Sequence, residues 1–150
     1  MAVKTPCVGL CSTTYGDLVC RGCKRFSHEI VNWNRYGDDE KRAVWDRLAA
    51  LRDQVVLSLV VIVDEACLDA QRARHRIPDD SGPSAASRAY GLLRRGARHM
   101  RNLEAYGLAP QPEAAGWSAA VLRDEIDRRF LTLSEAHYER YITGEVLRHG

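Results

Sequence analysis

Four of the chain's five cysteines fall in one short stretch, CVGLCSTTYGDLVCRGC, near its amino end. They form two close pairs, Cys7 with Cys11 and Cys20 with Cys23. A tetrahedral metal site needs four sulfurs about 2.3 Å from one ion, so two close pairs brought together by a turn form a suitable ligand set. In a reducing compartment, closely spaced cysteines are more often metal ligands than disulfides. The sequence therefore predicts a metal centre held by these four residues.

The residues between the two pairs, STTYGDLV, predict a short β-hairpin. Tyr15, Gly16 and Asp17 have the composition of a turn, and residues of high strand propensity flank them. Gly9 and Gly22 lie inside the pairs, where a positive φ lets backbone amides turn toward a thiolate sulfur. Zinc and an iron–sulfur cluster both accept four cysteines, and none of the common iron–sulfur spacings is present. The choice between zinc and an iron–sulfur cluster stays open.

Basic residues surround the cysteines. Four thiolates around a divalent ion leave a net negative charge, and nearby cations favour the thiolate form. We interpret these cations as counter-charges of the metal centre, in preference to nucleic-acid contacts. They are Lys4, Arg21, Lys24 and Arg25.

The stretch from residue 6 to residue 48 resembles the domain of unknown function 1289 family, small bacterial proteins usually labelled predicted iron–sulfur proteins. The remaining body, which includes RGARHMRNLEAYGL and LSEAHYERYI, resembles an extended proteobacterial version of that family. The resemblance implies four-cysteine metal binding. It is carried by Pro6-Cys7, the four cysteine positions, Arg21-Gly22, the helix with Ile30 and Trp33, and the run Asp39–Val44.

Beyond the cysteines the sequence predicts helix after helix. The expected fold is mainly α, a helical bundle that carries a small N-terminal four-cysteine knuckle with a short β-hairpin. We expect residues 1–37 to form the knuckle and first helix, and residues 38–150 to form a helical body whose halves meet at the loop 78–84. Ser27 is a suitable N-cap for the first helix, with Phe26 and Val31 spaced for a hydrophobic staple.

The segment 38–77 contains no glycine or proline, so it can form one long helix or two. Its apolar residues Val44, Leu48, Leu51 and Val55 recur at helical spacing. The β-branched run over residues 55–63 has strand propensity. We favour helix there because no partner strand is evident. The same segment contains Cys67, which we expect to be a buried, inert thiol.

The segment 85–106 predicts an amphipathic helix with arginines on one face. Residues 81–103 carry a charge of +5 and no acid. Arginine binds phosphate with a bidentate fork, so the face is suited to nucleic acid or another acidic partner. We favour instead a solvated face, or pairing with acids of the C-terminal region. The arginines are Arg88, Arg94, Arg95, Arg98 and Arg101.

Two further helices are expected near the carboxyl end. The first begins at Ser118 and places Leu122, Ile126 and Phe130 on one side, and the second begins at Ser134. The five histidines are scattered without ligand spacing, and we expect each at the surface or the core edge. They are His28, His75, His99, His137 and His149.

The composition, and the catalytic and targeting motifs that the sequence lacks, limit the classes of function that we expect. The net charge is +2, and the longest apolar run has nine residues where a membrane helix needs about 20, so no membrane partner is expected. No signal-peptide pattern is present, which favours a cytoplasmic location. We find no phosphate-binding glycine loop, nucleophile elbow or paired histidine–carboxylate site, and therefore expect no enzyme.

The leading hypothesis is a non-catalytic metal-binding protein that serves as a binding or adaptor module for a protein partner. One alternative is an iron–sulfur electron carrier or redox sensor. Another is a nucleic-acid-binding protein that uses the helix face from Arg88 to Arg101. The sequence indicates neither the partner nor the oligomeric state.

Overall fold

The computed structural model describes residues 3–9, 11–78 and 82–143, and most of these are helical. The mainly α class is confirmed. The α-helices are α1 (Ser27–Asn32), α2 (Asp38–Leu59), α3 (Glu65–Arg74), α4 (Ala85–Gly96) and α5 (Ala119–His137), and the strands are β1 (Val60–Ile62) and β2 (Leu108–Pro110). Short 3-10 helices lie at Ser12–Tyr15, Trp33–Arg35, Ala97–His99, Glu104–Tyr106 and Pro112–Ala114, and a π-helix spans Tyr138–Thr143.

The chain divides into two compact units. Of the described residues, those up to 51 and those over 130–143 form the first, which we call the knuckle unit, and those between 52 and 129 form the second, the central unit. The division expected after residue 37 is not the one that the contacts give. The reason is that the first half of α2 packs its apolar stripe within the knuckle unit.

The core of the knuckle unit is built from both ends of its sequence. Trp33, Val44, Leu48 and Phe130 are buried together, and Leu51 packs against them. The apolar stripe expected along α2 is therefore confirmed. Burying four such side chains contributes on the order of 6 to 12 kcal/mol before conformational entropy is subtracted.

The start of α1 differs from the expectation in two ways. Ser27 is the first helical residue, and Phe26 holds the N-cap position. The Phe26 amide donates to the Glu29 carboxylate at 2.8 Å, so the cap comes from inside the helix. The hydrophobic staple is wrong, because Val31 is 78% exposed.

The segment 38–77 consists of two helices separated by a strand. Helix α2 ends at Leu59 and runs directly into β1, which pairs antiparallel with β2. Val60 lies opposite Pro110, and Ile62 lies opposite Leu108. Our preference for helix is therefore wrong for residues 60–62. The partner strand is only three residues long and ends in proline, which is tolerated at a sheet edge but gives no strand signal.

A tight turn at Gly107 leads into β2. Gly107 has a φ of +75°, and its carbonyl accepts the amides of Val63 and Asp64 at 2.9 and 3.0 Å. Asp64 also caps α3 by accepting the Cys67 amide at 3.1 Å. The Cys67 thiol is half-buried and donates to the Ala105 carbonyl at 3.4 Å, so the expected full burial is wrong.

Helix α4 is shorter than the sequence indicates. Ser84 caps its start, accepting the Ser87 amide at 3.0 Å, and the helix ends at Gly96 instead of continuing to residue 106. Glycine is a weak helix former, and the chain beyond it turns through a 3-10 helix into extended backbone at Met100.

Helix α5 begins where the sequence predicts. The Ser118 hydroxyl accepts the Val121 amide at 3.1 Å, and Leu122, Ile126 and Phe130 are buried as expected. The second helix start, at Ser134, is wrong, because α5 continues to His137 and then becomes a π-helix.

No helix in the described part of the chain is both long and apolar enough to span a lipid bilayer.

Candidate metal centre

The second cysteine pair lies at the tip of a small antiparallel hairpin. Val19 bridges Phe26, and the Cys20 amide donates to the Arg25 carbonyl at 2.9 Å. The Lys24 amide closes the tip by donating to the Cys20 carbonyl at 2.8 Å. Lys24 itself takes a left-handed φ of 65°, which is unusual for a residue with a side chain. A hairpin is therefore present, but it encloses the second pair instead of joining the two pairs.

The connection between the two pairs is a 3-10 turn. Ser12–Tyr15 forms that turn, and Gly16 ends it with a φ of +98°. The Ser12 hydroxyl accepts the Arg21 amide at 2.8 Å, which ties the connection to the hairpin tip. This local bond explains why the strand propensity of the two threonines does not prevail.

The sulfur of Cys20 is surrounded by backbone amides. Burial raises the pKa of the Cys20 thiol, but amide hydrogen bonds from Cys23, Ser12 and Gly22 outweigh burial and lower this pKa to about 7. The Cys20 residue is only 1% exposed. Amides that converge on one sulfur stabilise the thiolate, which is the form that binds metals.

Cys23 faces a guanidinium. Burial raises the pKa of its thiol, and Arg25 opposes that rise by donating from Nε to Cys23 Sγ at 3.3 Å. Arg25 is buried and stacks over the Trp33 ring, 5.0 Å from its centroid. The guanidinium is thereby held against the sulfur.

The first cysteine pair is more open. Hydrogen bonds from the side chains of Thr13 and Thr14 lower the pKa of the half-buried Cys11 thiol. The charge of Cys20 raises this pKa, but by less. Cys11 Sγ lies 3.0 Å from Thr13 Oγ1. Cys7 is exposed, and its sulfur accepts the Gly9 amide at 3.4 Å.

The structure thus brings the four predicted ligands together unevenly. Cys20 and Cys23 share a hydrogen bond, Cys11 lies within electrostatic range of Cys20, and Cys7 contacts residues of its own segment. Within residues 3–9, 11–78 and 82–143, no three cysteine, histidine or acidic side chains are close enough to form a metal-binding group. No disulfide links the described cysteines. The donor set suits a thiophilic ion, since it combines four thiols, sulfur-directed amides and buried cations.

The four basic residues near the cysteines take different positions. Lys24 is 1% exposed and donates from Nζ to the Arg21 and Gly22 carbonyls at 2.6 and 3.0 Å. Arg25 is also buried. Arg21 is exposed and pairs with Asp17 at 3.3 Å, and Lys4 is exposed. Two cations therefore lie at the hairpin tip, and the burial of Lys24 has no signal in the sequence.

An ion pair that the sequence does not predict lies beside the hairpin. The Glu29 carboxylate accepts both terminal nitrogens of Arg47 at 2.5 and 2.7 Å, and the Arg47 guanidinium lies 4.0 Å from the Phe26 ring centroid. The His137 ring stacks on the Phe26 ring, with the two ring centroids 6.2 Å apart. Burial and the nearby Arg47 charge lower the pKa of His137. The spacing of Glu29 from Phe26 could have indicated the cap, but nothing local indicates Arg47.

The five predicted arginines do not lie on one helix. Arg88 is held by Asp69 at 2.6 Å and Glu65 at 2.5 Å, and these acids raise its pKa. Pairing of Arg88 with acids was expected, although from the C-terminal region. Arg94 is half-buried, and Arg95 is exposed near the end of α4. The exposed Arg98 and Arg101 follow after that helix has ended.

The histidines match the expectation of surface or core-edge positions where the structure describes them. His28, His75 and His99 are exposed, and His137 is half-buried. His149 lies outside the described residues.

The amino-terminal part of the chain is similar to a known protein family. Residues 5–52 match the family model described as Protein of unknown function (DUF1289). This chain is therefore similar to DUF1289 proteins over residues 5–52. The DUF1289 segment contains all four clustered cysteines, α1 and the first part of α2.

Relatives with similar sequences carry no assigned activity. Two proteins, each called Uncharacterized protein YdhL, come from Escherichia coli (strain K12) and Shigella flexneri. Each is 43% identical to this chain over 42 residues, which is 28% of this chain and 52% of the relative. The chain thus spans about half the length of the curated relatives it matches. No solved structure matches the chain significantly.

Proposed function

We propose that this chain is a non-catalytic metal-binding protein whose DUF1289 segment holds one metal centre on Cys7, Cys11, Cys20 and Cys23. The environment of Cys20 carries the proposal. Three backbone amides point to its sulfur and lower its pKa to about 7 in spite of burial. These hydrogen bonds favour the thiolate, which is the form of cysteine that binds metals.

The bound ion would supply folding free energy and a fixed point for four side chains. Residues of the chain itself favour the thiolate form and orient the cysteines. Arg25 sets a positive charge against Cys23, the amides of Gly22 and Cys23 favour the thiolate at Cys20, and Thr13 orients Cys11. Metal binding is expected to order Cys7 together with the other ligands, because binding and folding are coupled in such sites.

We also propose that the knuckle unit binds a protein partner. Tyr15 is 87% exposed and Leu18 is 57% exposed, and both flank the turn at Gly16 between the cysteine pairs. Adjacent exposed apolar side chains favour protein contacts. Replacing both with serine should leave the metal content unchanged and abolish the associations that the wild-type protein keeps in parallel affinity purifications. Loss of metal from that double variant would contradict this separation of roles.

A reducing, cytoplasmic location accords with this proposal, because thiols there stay available to a metal.

The test of the centre is a set of five single substitutions. Each variant carries serine in place of one cysteine, at positions 7, 11, 20, 23 or 67, and is purified without oxygen for elemental and sulfide analysis. We expect the first four to lose the metal and to melt at a lower temperature. Cys67→Ser is the matched control and should keep both properties. Full metal content in Cys7→Ser would contradict the four-ligand set, since Cys7 is the ligand that the structure leaves most exposed.

The second candidate is an iron–sulfur electron carrier or redox sensor. Hydrogen bonds to the sulfurs of Cys20 and Cys23 favour it, because such bonds tune cluster reduction potentials. A cluster would give visible absorption near about 400 nm that bleaches on reduction, together with acid-labile sulfide. Colourless protein with one zinc per chain would decide for the structural role.

A further inference from the structure

The hairpin tip holds a buried lysine on one side and the Cys20 sulfur on the other, with peptide groups between them. Lys24 Nζ donates to the carbonyls of Arg21 and Gly22 at 2.6 and 3.0 Å. The amides of Gly22 and Cys23 donate to Cys20. Each of these two peptide groups therefore has an ammonium on its oxygen and the Cys20 sulfur on its N–H.

We propose that Lys24 acts on Cys20 through these two peptide groups, as a positioning residue that strengthens sulfur-directed hydrogen bonds without touching the sulfur. The inference rests on the proposed metal-binding function. A cation at a carbonyl oxygen draws electron density along the peptide group and makes its N–H a stronger donor, because hydrogen bonds in a chain polarise one another. The effect requires both bonds to belong to the same peptide group, as they do here.

The backbone and the surroundings of Lys24 serve this placement. Its left-handed φ of 65° turns the chain so that its side chain lies back over the loop it has just left. Glycine is the usual residue at such a φ, but glycine has no ammonium. The Nζ atom also lies 5.5 Å from the Phe130 ring centroid, and the residue is 1% exposed. Burying an ammonium is costly unless its donors are satisfied, which the two carbonyls help to achieve.

The positive charge of Lys24 also favours its role in supporting Cys20. The Arg21 and Gly22 carbonyls are neutral acceptors, so neither of these two contacts cancels the positive charge of Lys24. Interactions between charges are stronger in a buried site than in water. When the cysteines bind a divalent ion, the centre carries net negative charge, and Lys24 offsets part of it.

The experiment compares Lys24→Met, Lys24→Gly and the control Arg21→Met, with Co²⁺ as the probe. Methionine keeps the side-chain bulk and the same backbone demand, and glycine relieves that demand. Arg21 is a cation of the same loop whose side chain is 69% exposed, so its loss tests charge without the peptide-mediated contact. Competition with a chelator gives the Co²⁺ dissociation constant, and absorption spectroscopy gives the energy of the sulfur-to-cobalt charge-transfer band.

We expect both Lys24 variants to weaken Co²⁺ binding by about 10-fold to 100-fold, the usual range for residues that support a metal ligand. The charge-transfer band should move to lower energy in both, since a sulfur with weaker hydrogen bonds gives up an electron more readily. Arg21→Met should change the dissociation constant by less than about twofold.

Three results would overturn the proposal. Wild-type affinity and band energy in Lys24→Met and Lys24→Gly would remove any role for the ammonium. Weaker Co²⁺ binding with an unchanged charge-transfer energy would show that Lys24 only supports the structure of the loop. Failure of the wild-type protein to bind Co²⁺ through sulfur would refute the proposed function and this inference together, and is distinguished from the other two results by the wild-type titration.

Discussion

The ion pair between Glu29 and Arg47 gives the sharpest stability prediction. Their side chains are 6% and 18% exposed, and two hydrogen bonds of 2.5 and 2.7 Å join them. Arg47 Nε has no hydrogen-bond partner among the described residues, so its polar contacts depend on the Glu29 carboxylate. Glu29→Ala would leave a buried guanidinium without its counter-charge and the Phe26 amide without its acceptor.

The magnitude follows from those two losses. Breaking one partner of a buried pair costs about 3 to 5 kcal/mol, and Arg47 keeps some water contact, which favours the lower end. Losing the cap costs about 1 kcal/mol more. We expect the free energy of unfolding of the metal-loaded protein to fall by about 4 kcal/mol in Glu29→Ala. Glu29→Gln, which retains an acceptor for the amide, should lose about 1 kcal/mol less.

Urea denaturation near neutral pH measures these differences. The matched control is Arg42→Ala, which breaks the pair of Arg42 with Asp39, also in the knuckle unit. That pair is 3.1 Å long, but its side chains are 59% and 102% exposed, so its loss should cost less than about 0.5 kcal/mol. A cost below about 1 kcal/mol for Glu29→Ala, or one equal to that of Arg42→Ala, would show that the buried pair does not stabilise the protein as we expect.

Two further predictions concern the central unit. Gly107→Ala should destabilise the protein by more than about 3 kcal/mol in urea denaturation, because a Cβ there would overlap the Asp64 carbonyl and come within 3.1 Å of the Leu68 amide. Gly116→Ala is the control, since its φ of +83° is similar and its Cβ meets nothing within 4 Å, so it should lose only about 1 kcal/mol, and equal costs would rule out the overlap. Arg128 and Arg129 lower the pKa of Glu125 from 4.5 to about 2. A folded-state pKa below the unfolded one stabilises the protein above about pH 4.5, and this stabilisation should be lost as the pH falls toward about 2. Urea titrations across that range should show a smaller loss in Arg129→Met, and an unchanged pH profile would contradict the assignment.

Patterns that repeat within one element could be predicted from the sequence. The apolar spacing of Val44 and Leu48 identified the buried face of α2, and Ser118 with Leu122 identified the start of α5. These signals are local, because one turn of helix places residues three and four apart on the same face. The clustering of the cysteines is local in the same sense.

Features that depend on distant residues could not be predicted. Strand β1 exists because Val60 finds Pro110 fifty residues along the chain, and its own propensity does not distinguish a strand from a buried helix. The Glu29 pair depends on Arg47, in another helix. The hairpin was expected between the cysteine pairs because turn chemistry occurs there, but the Ser12 hydroxyl stabilises a different turn.

The burial of Lys24 shows the same limit within the candidate site. Lys24 follows the cysteine pair and precedes Arg25, a position that predicts an exposed counter-charge. Its left-handed backbone instead places its ammonium on the carbonyls of the hairpin tip. A rare φ at a residue with a side chain has no signature in composition.

X-ray absorption spectroscopy of the anaerobically purified protein is the most direct test of the four-cysteine metal centre, because it counts the sulfur atoms bound to the metal. We expect four sulfur ligands, at about 2.3 Å if the ion is zinc, and a lower count in Cys7→Ser. A metal-free protein, or a metal bound mainly by nitrogen and oxygen, would contradict it.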